Sequence, residues 1–421
     1  CSNEFTSSSY TKSGLYIYGS SHIEVVDCSF SKLSSQEAIR SPLYIDSQNL
    51  NIKLITENLI FSDCRGDNLR CFSVKARADF SFFNVTVQDN KEGNYLGAIE
   101  RKNINGATFT FENCTWRNNN CNSKYGGGSG LWLTNDRTSC TFSFENCIFE
   151  SNYHSNKGGA FQTGYSDTIK ATSLNFVHCI FSNNKAQNAG GALAIEVSQP
   201  WSIDSCQFNN NTATIGGAIF VSCTEFKHTA ERASISKCVF NENVATKEDG
   251  DGIILFINDS VTTEITLDST NKVTNKGEPG SVICSCGTNL ILDGLTFDFV
   301  KTGNKQKLFR AAKLINESRT TFNGCKFIGT GFRNDAQGQS IYAEKADTVI
   351  IDDCTFTDCG SVNNKYSIYA TSAKEIQFLS STYSFTDLKV CSPAILVNSW
   401  CKFTVQDSTF KNIHASETDN G

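Results

Sequence analysis

The chain has 421 residues, 19 of them cysteine, four proline and none methionine, with 37 Lys+Arg against 43 Asp+Glu for a net charge of -6. The charge is mild and its basic residues are scattered, which argues against a nucleic-acid partner. No run approaches the 18 apolar residues of a membrane span, and no basic start with an apolar core opens the chain.

From the first residues onward one phrase recurs. "SGLYIYGS" at 13–20 reads as the second strand of a coil with only part of that coil ahead of it, and "DCSFSKLSSQEAIRS" from Asp27 gives the cysteine, aromatic and turn in sequence. "NCTWRNNNCNSKYGGGSGLWL" starts at Asn113, "CIFESNYHSNKGGAFQT" at Cys147, "CIFSNNKAQNAGGALAI" at Cys179, "CQFNNNTATIGGAIFV" at Cys206 and "CVFNENVATKEDGDGIIL" at Cys238. Weaker copies start at Gly324 and Asp353. The apolar anchor two residues after the cysteine marks a register through Phe30, Phe61, Val87, Trp116, Phe149, Phe181, Phe208, Phe240, Leu267, Phe297, Phe327, Phe356, Phe385 and Phe410. Its spacing of roughly 29 residues lies in the range of solenoids and arrays.

Within each repeat, stretches such as "TFSFENCIF" alternate with period two, so one strand is expected to end at the anchor. Three residues on, asparagine recurs at Asn90, Asn119, Asn152, Asn184, Asn211 and Asn243. Asparagine tolerates left-handed backbone, and stacked copies bond amide to amide, so these are expected to form a ladder. The Gly-Gly-Ala step then opens a second strand, with small residues at Ala98, Gly130, Ala160, Ala192, Ala218 and Gly252, and a third short strand completes the coil. The chain is therefore expected to be all-β: one continuous single-stranded parallel β-helix over 1–421, of about fourteen coils with three short strands each. Helical repeats are excluded by the Asn, Ser, Thr, Gly and Phe content, and leucine-rich repeats by the scarcity of leucine. Phe149, Phe181, Phe208 and Phe240 are expected to form one internal column.

The cysteines favour an oxidising compartment, since 19 is many for a cytosolic chain and no zinc-type spacing accompanies them. Eight of them, Cys28, Cys114, Cys147, Cys179, Cys206, Cys238, Cys325 and Cys354, precede an anchor by two residues. They read either as a column of small buried hydrophobes or as disulfides between neighbouring coils. Cys64/Cys71 and Cys121/Cys140 are further disulfide candidates.

The pairing of "FSNN" with "GGALAI", "FNNN" with "GGAIFV" and "FESN" with "GGAFQT" resembles the FxxN and GGA(I/L/V) repeats of chlamydial polymorphic membrane proteins and similar repeats of protist surface proteins. The likeness is strongest from Cys114 to Leu255. It implies a right-handed parallel β-helix displayed outside the cell, and adhesion. No outer-membrane barrel segment accompanies it here.

Polysaccharide-active enzymes also use parallel β-helices, and need carboxylates set against one another. The local candidate is Asp352-Asp353, whose neighbouring side chains would leave a strand on opposite faces. His22, His154, His178, His228 and His414 sit in different coils and read as surface or turn residues, and the acidic turn 247–252 reads as a solvated loop. No catalytic residue, metal or cofactor is therefore expected. Sequons stand at Asn84, Asn113, Asn210, Asn258 and Asn316 as glycosylation candidates. The expected protein is a secreted or cell-surface stalk, adhesin or fibre segment, excerpted from a longer solenoid or associating end to end with its own kind. Host or matrix surface glycans or proteins are its expected partners, with no nucleic acid and no direct membrane span.

Overall fold

The computed structural model describes residues 3–6, 15–18, 22–35, 42–51, 53–66, 72–77, 80–93, 98–102, 107–122, 131–136, 140–163, 172–196, 200–222, 232–247, 254–257, 264–267, 272–274, 280–298, 309–329, 340–359, 366–386, 394–398 and 401–413. The described residues contain strands and turns and no helix, and every strand pairing is parallel, in the manner of a β-solenoid. They fall into two compact units, Cys1–Thr214 with Ala218–Ser222, and Ile215–Gly217 with Cys223–Gly421.

One circuit of the first unit shows how the sequence makes a coil. A leading strand, Cys140–Glu145, alternates Phe142 and Phe144 inward with Thr141 and Ser143 outward. Asn146 then takes a left-handed φ of 53°, which ends the strand and starts a new one at Ile148–Glu150 around the anchor Phe149. Ser151, at φ 54°, makes the next corner, Asn152 turns inward, and a two-residue strand Tyr153–His154 follows. Gly158 (φ 65°) and Gly159 lead into Phe161–Thr163. A Cβ on Gly159 would lie 2.2 Å from the Gly191 carbonyl oxygen of the next coil, so only glycine fits there.

Two expectations change here. The strand does not run through to the anchor, because a left-handed residue just before each cysteine breaks it. Each of these coils also carries a fourth strand, too short to show a period: the ladder of Ser34–Ser35, Arg65–Gly66, Lys91–Gly93, Asn120–Cys121, Tyr153–His154, Lys185–Ala186 and Thr212–Ala213.

Because the coils are in register, like side chains stack. In the first unit Trp116, Phe149, Phe181 and Phe208 form one column, successive ring centroids lying 4.8 Å apart with planes within 6° of parallel. A second column, Phe82, Phe111, Phe144 and Phe176, has centroids 4.7 Å apart and meets the first edge-on, as where Phe144 meets Phe149 at 63°. Stacked and edge-to-face contacts are the two favourable aromatic geometries, and the circuit uses both. Phe161 closes the third side at 5.5 Å from Phe144.

In the second unit Phe240 is buried, and its strand partner is Val273. Leu267 instead pairs with Ile235 in the leading-strand ladder, so Val273 takes the anchor place that the sequence pattern gave to Leu267. The same correction applies at Phe385. Tyr383 follows Phe297, Phe327 and Phe356 in the anchor ladder, and Phe385 is buried beside it, edge-on to the Tyr383 ring. Apolar type alone chose the wrong residue in both coils, because register is set by pairing along the whole strand.

Truncation of a column tests this packing. Phe181→Ala is expected to cost about 3–5 kcal/mol in denaturant unfolding, whereas Phe83→Ala, 37% exposed on the outer face, should stay within about 0.5 kcal/mol. Equal costs for the two would mean that the anchor column does not hold the core.

Candidate functional site

The recurring asparagines fall into two positions with opposite jobs. In "FSNN", Asn183 is exposed and takes the left-handed corner at φ 56°, while Asn184 is fully buried. Asn184 Nδ2 donates to Asn211 Oδ1 in the next coil (3.0 Å) and to the Phe149 carbonyl of the preceding one (2.9 Å). Its Oδ1 accepts from the backbone N–H and the Nδ2 of Asn152, at 3.1 and 3.0 Å. The same pattern runs through Asn90, Asn119 and Asn152, with amide-to-amide distances of 3.0 Å throughout. It ends on the Cys64 N–H, which donates to Asn90 Oδ1 at 2.9 Å. The left-handed turn thus belongs to the residue before the ladder and not to the ladder asparagine itself. Asn243 is buried in the second unit.

In the first unit Cys114, Cys147, Cys179 and Cys206 follow one another in register as a second polar column, and no anchor cysteine is in a disulfide. Cys147 Sγ donates to the Phe111 carbonyl and Cys179 Sγ to the Phe144 carbonyl, at 3.4 and 3.5 Å, and the Cys179 N–H donates to Cys206 Sγ at 3.3 Å. Cys238 lies buried in the second unit, its thiol donating to the Ser236 carbonyl. Disulfides between neighbouring coils are not formed at the eight anchor positions. Like side chains in register hold their sulfurs about one strand spacing apart, ~4.8 Å, against the ~2 Å of a disulfide. Burial pushes the Cys147 thiol up, and raises Cys64 to about 11, so these are inert sulfhydryls. Cys64 and Cys121 are likewise buried and in no disulfide. Cys71 lies outside the described residues, and of Cys140 only the backbone is described.

Several titratable groups among the described residues are paired between coils. Outside the Gly-Gly-Ala strands of the first unit, Lys157 Nζ meets Glu196 Oε1 at 2.5 Å and lies 5.1 Å from the Phe220 ring centre, and Gln162 Nε2 donates to Glu196 Oε2 at 3.4 Å. In the second unit Lys374 and Arg319 grip Asp347 at 2.7 and 2.6 Å and hold its carboxyl below the usual range, and Lys402 does the same to Glu375. Glu196, Asp347 and Glu375 are each engaged by a cation from a neighbouring coil. Asp352 ends its strand half-buried, and Asp353 is exposed in a left-handed corner at φ 50°, so the adjacent pair is split by a turn and does not lie across a strand.

Of the histidines, His22 is exposed beside Glu24 and His178 is an exposed corner; His228 and His414 lie outside the described residues, as does most of the acidic turn 247–252. His154 departs from expectation. It is fully buried in the two-residue strand, opposite Cys121 and Ala186, with Nδ1 accepting from the Asn156 N–H at 3.1 Å and Nε2 unpartnered. Its signal in the sequence was register: the coils on either side place small residues at that position.

The sequon asparagines Asn84, Asn113, Asn210 and Asn316 are exposed, and Asn258 lies outside the described residues. Among the described residues no group of three or more His, Cys, Asp or Glu side chains converges as a metal site would require.

No protein-family description matches the chain, and a search of curated proteins finds no match. Among solved structures it is similar to the alginate lyase AlyF-OU02 in its complex with G6, at 9% identity and a TM-score of 0.32, over 94% of this chain and 84% of that one. A likeness that slight carries nothing of that enzyme's chemistry to this chain.

The buried imidazole makes stability depend on pH. Burial lowers the His154 pKa from 6.5 to about 4. A lowered histidine pKa stabilises the fold fully above the unfolded value and loses that contribution as pH falls from about 6.5 to 4, by about 3 kcal/mol in all. Unfolding free energies measured across that window should fall more steeply for the natural chain than for His154→Ala. Parallel curves would show that His154 is not buried as a neutral ring.

Proposed function

We propose that the chain is an extracellular, non-catalytic solenoid whose work is structural or adhesive, a stalk, adhesin or fibre segment built from about fourteen coils. The observation that carries this reading is the buried asparagine ladder. In it each amide is used on both sides by neighbouring coils, so the polar side chains that recur most regularly in the sequence serve architecture. The outer polar groups follow the same habit: Arg117 donates to Gln88 of the coil before it, Asn58 to Asp27, Asn323 to Asp293, and Lys402 to Glu375. Side chains bonded along the axis stiffen a rod and are not free to attack a substrate.

The similarity of the repeats to those of chlamydial and protist surface proteins supports display outside the cell.

A polysaccharide panel tests the reading. Purified chain incubated with uronate-rich and neutral polysaccharides is expected to release neither unsaturated products nor reducing ends, while particles coated with it bind cell surfaces and protease applied to intact cells removes it. Sustained turnover of any polymer would overturn the non-catalytic reading, and protection from the protease would overturn the location.

A further inference from the structure

Four sequon asparagines occupy left-handed corners, at φ 52° for Asn84, 55° for Asn113, 53° for Asn210 and 50° for Asn316. A corner side chain leaves the coil between two sheet faces. At three of them the backbone N–H is already committed to the next coil: Asn84 to the Glu112 carbonyl and Asn113 to the Glu145 carbonyl, both 3.0 Å, and Asn316 to the Glu344 carbonyl, 3.2 Å. A group added to such an amide breaks no rung of a sheet.

The side-chain amides differ in what they do. Asn84 Nδ2 donates to Asn58 Oδ1 at 2.7 Å, as part of an outer ladder that runs on to Asp27, and Asn316 Nδ2 donates to Cys286 Sγ at 3.4 Å. Asn113 and Asn210 make no such bond among the described residues, and Thr115 and Thr212, which complete their sequons, are only half-buried. Asn84 and Asn113 also share one corner on successive coils, since their leading strands pair directly, Phe83 opposite Glu112. Their backbones are thus about one strand spacing apart, ~4.8 Å, too close for two branched sugars to stand side by side.

We propose that Asn113 and Asn210 carry N-linked glycans in the folded protein, and that Asn84 and Asn113 are not both modified on one molecule. The donor is a lipid-pyrophosphate-linked oligosaccharide. Asn Nδ2 bonds to the anomeric carbon, the bond from that carbon to the pyrophosphate oxygen breaks, the lipid pyrophosphate leaves with the electron pair, and the amide gives up one proton to the transferase. The inference rests on the extracellular reading above, because only a chain passing through a secretory route meets that donor.

The full chain secreted from a eukaryotic host, digested with peptide N-glycosidase in ¹⁸O water, is expected to yield ¹⁸O-labelled aspartate at positions 113 and 210. Intact mass should contain no species bearing glycans at both 84 and 113. Thr115→Ala, which keeps Asn113 in its corner, should remove one glycan from 113 and raise occupancy at 84. Secreted, folded protein unlabelled at 113 and 210, or carrying glycans at 84 and 113 together, would overturn the inference. Unlabelled protein that intact-cell protease still removes would leave the extracellular reading standing, whereas protein that the protease cannot reach would sink both.

Discussion

The structure depends on one repeated interaction, the buried asparagine amide that bonds forward to the next amide and back to an anchor carbonyl. An unpaired buried amide costs about 1–3 kcal/mol per orphaned group, and each ladder asparagine bonds through both its nitrogen and its oxygen. The bonds are made only if successive coils present asparagine at the same height and orientation, so the ladder fixes register where aromatic stacking alone would tolerate slip. Phe149, Phe181 and Phe208 supply the larger burial, but rings stack at many rotations, whereas an amide ladder accepts one.

Around that ladder the coil is held by corners rather than by long strands. Asn146 and Ser151 bracket the three-residue anchor strand in one coil, and His178 and Asn183 bracket the next, each with positive φ. A non-glycine residue in that region costs roughly 1–2 kcal/mol, least for Asn and Asp, and each corner offsets it with a backbone bond to the next coil, as from Asn183 N–H to the Asn209 carbonyl at 2.9 Å. The second unit keeps this scheme while changing its chemistry. Cys359 stands three residues after its anchor Phe356, where the first unit has its ladder asparagine, and its thiol donates to the Phe327 carbonyl at 3.2 Å. A short donor turned inward is what the site requires, and a sulfhydryl meets it.

The repeat, the aromatic anchor and the ladder position were legible because each leaves a residue type at fixed spacing. What was missed lacks a signature of type. The corner residue before each cysteine is Asn146 in one coil, His178 in the next and Ser205 in the third, related only by φ. Strands of two residues, such as Tyr153–His154, are shorter than one alternation. Val273 and Tyr383 displaced Leu267 and Phe385 as anchors because pairing of whole strands sets register and two apolar residues within reach of one position look alike in sequence. The Lys157–Glu196 pair joins residues 39 apart across a coil boundary, a separation that no repeat in the sequence marks.

The account rests on one contrast between neighbours of the same type: Asn118, Asn183 and Asn210 are exposed corners, and Asn119, Asn184 and Asn211 are buried rungs. Hydrogen exchange of asparagine side-chain amides, followed by NMR, reads it directly. Protection of the Asn119, Asn184 and Asn211 amides comparable to that of the adjoining strand backbone, with rapid exchange at Asn118, Asn183 and Asn210, is the result predicted. Equal exchange within each pair would show that no amide ladder holds the coils, and the account would fail with it.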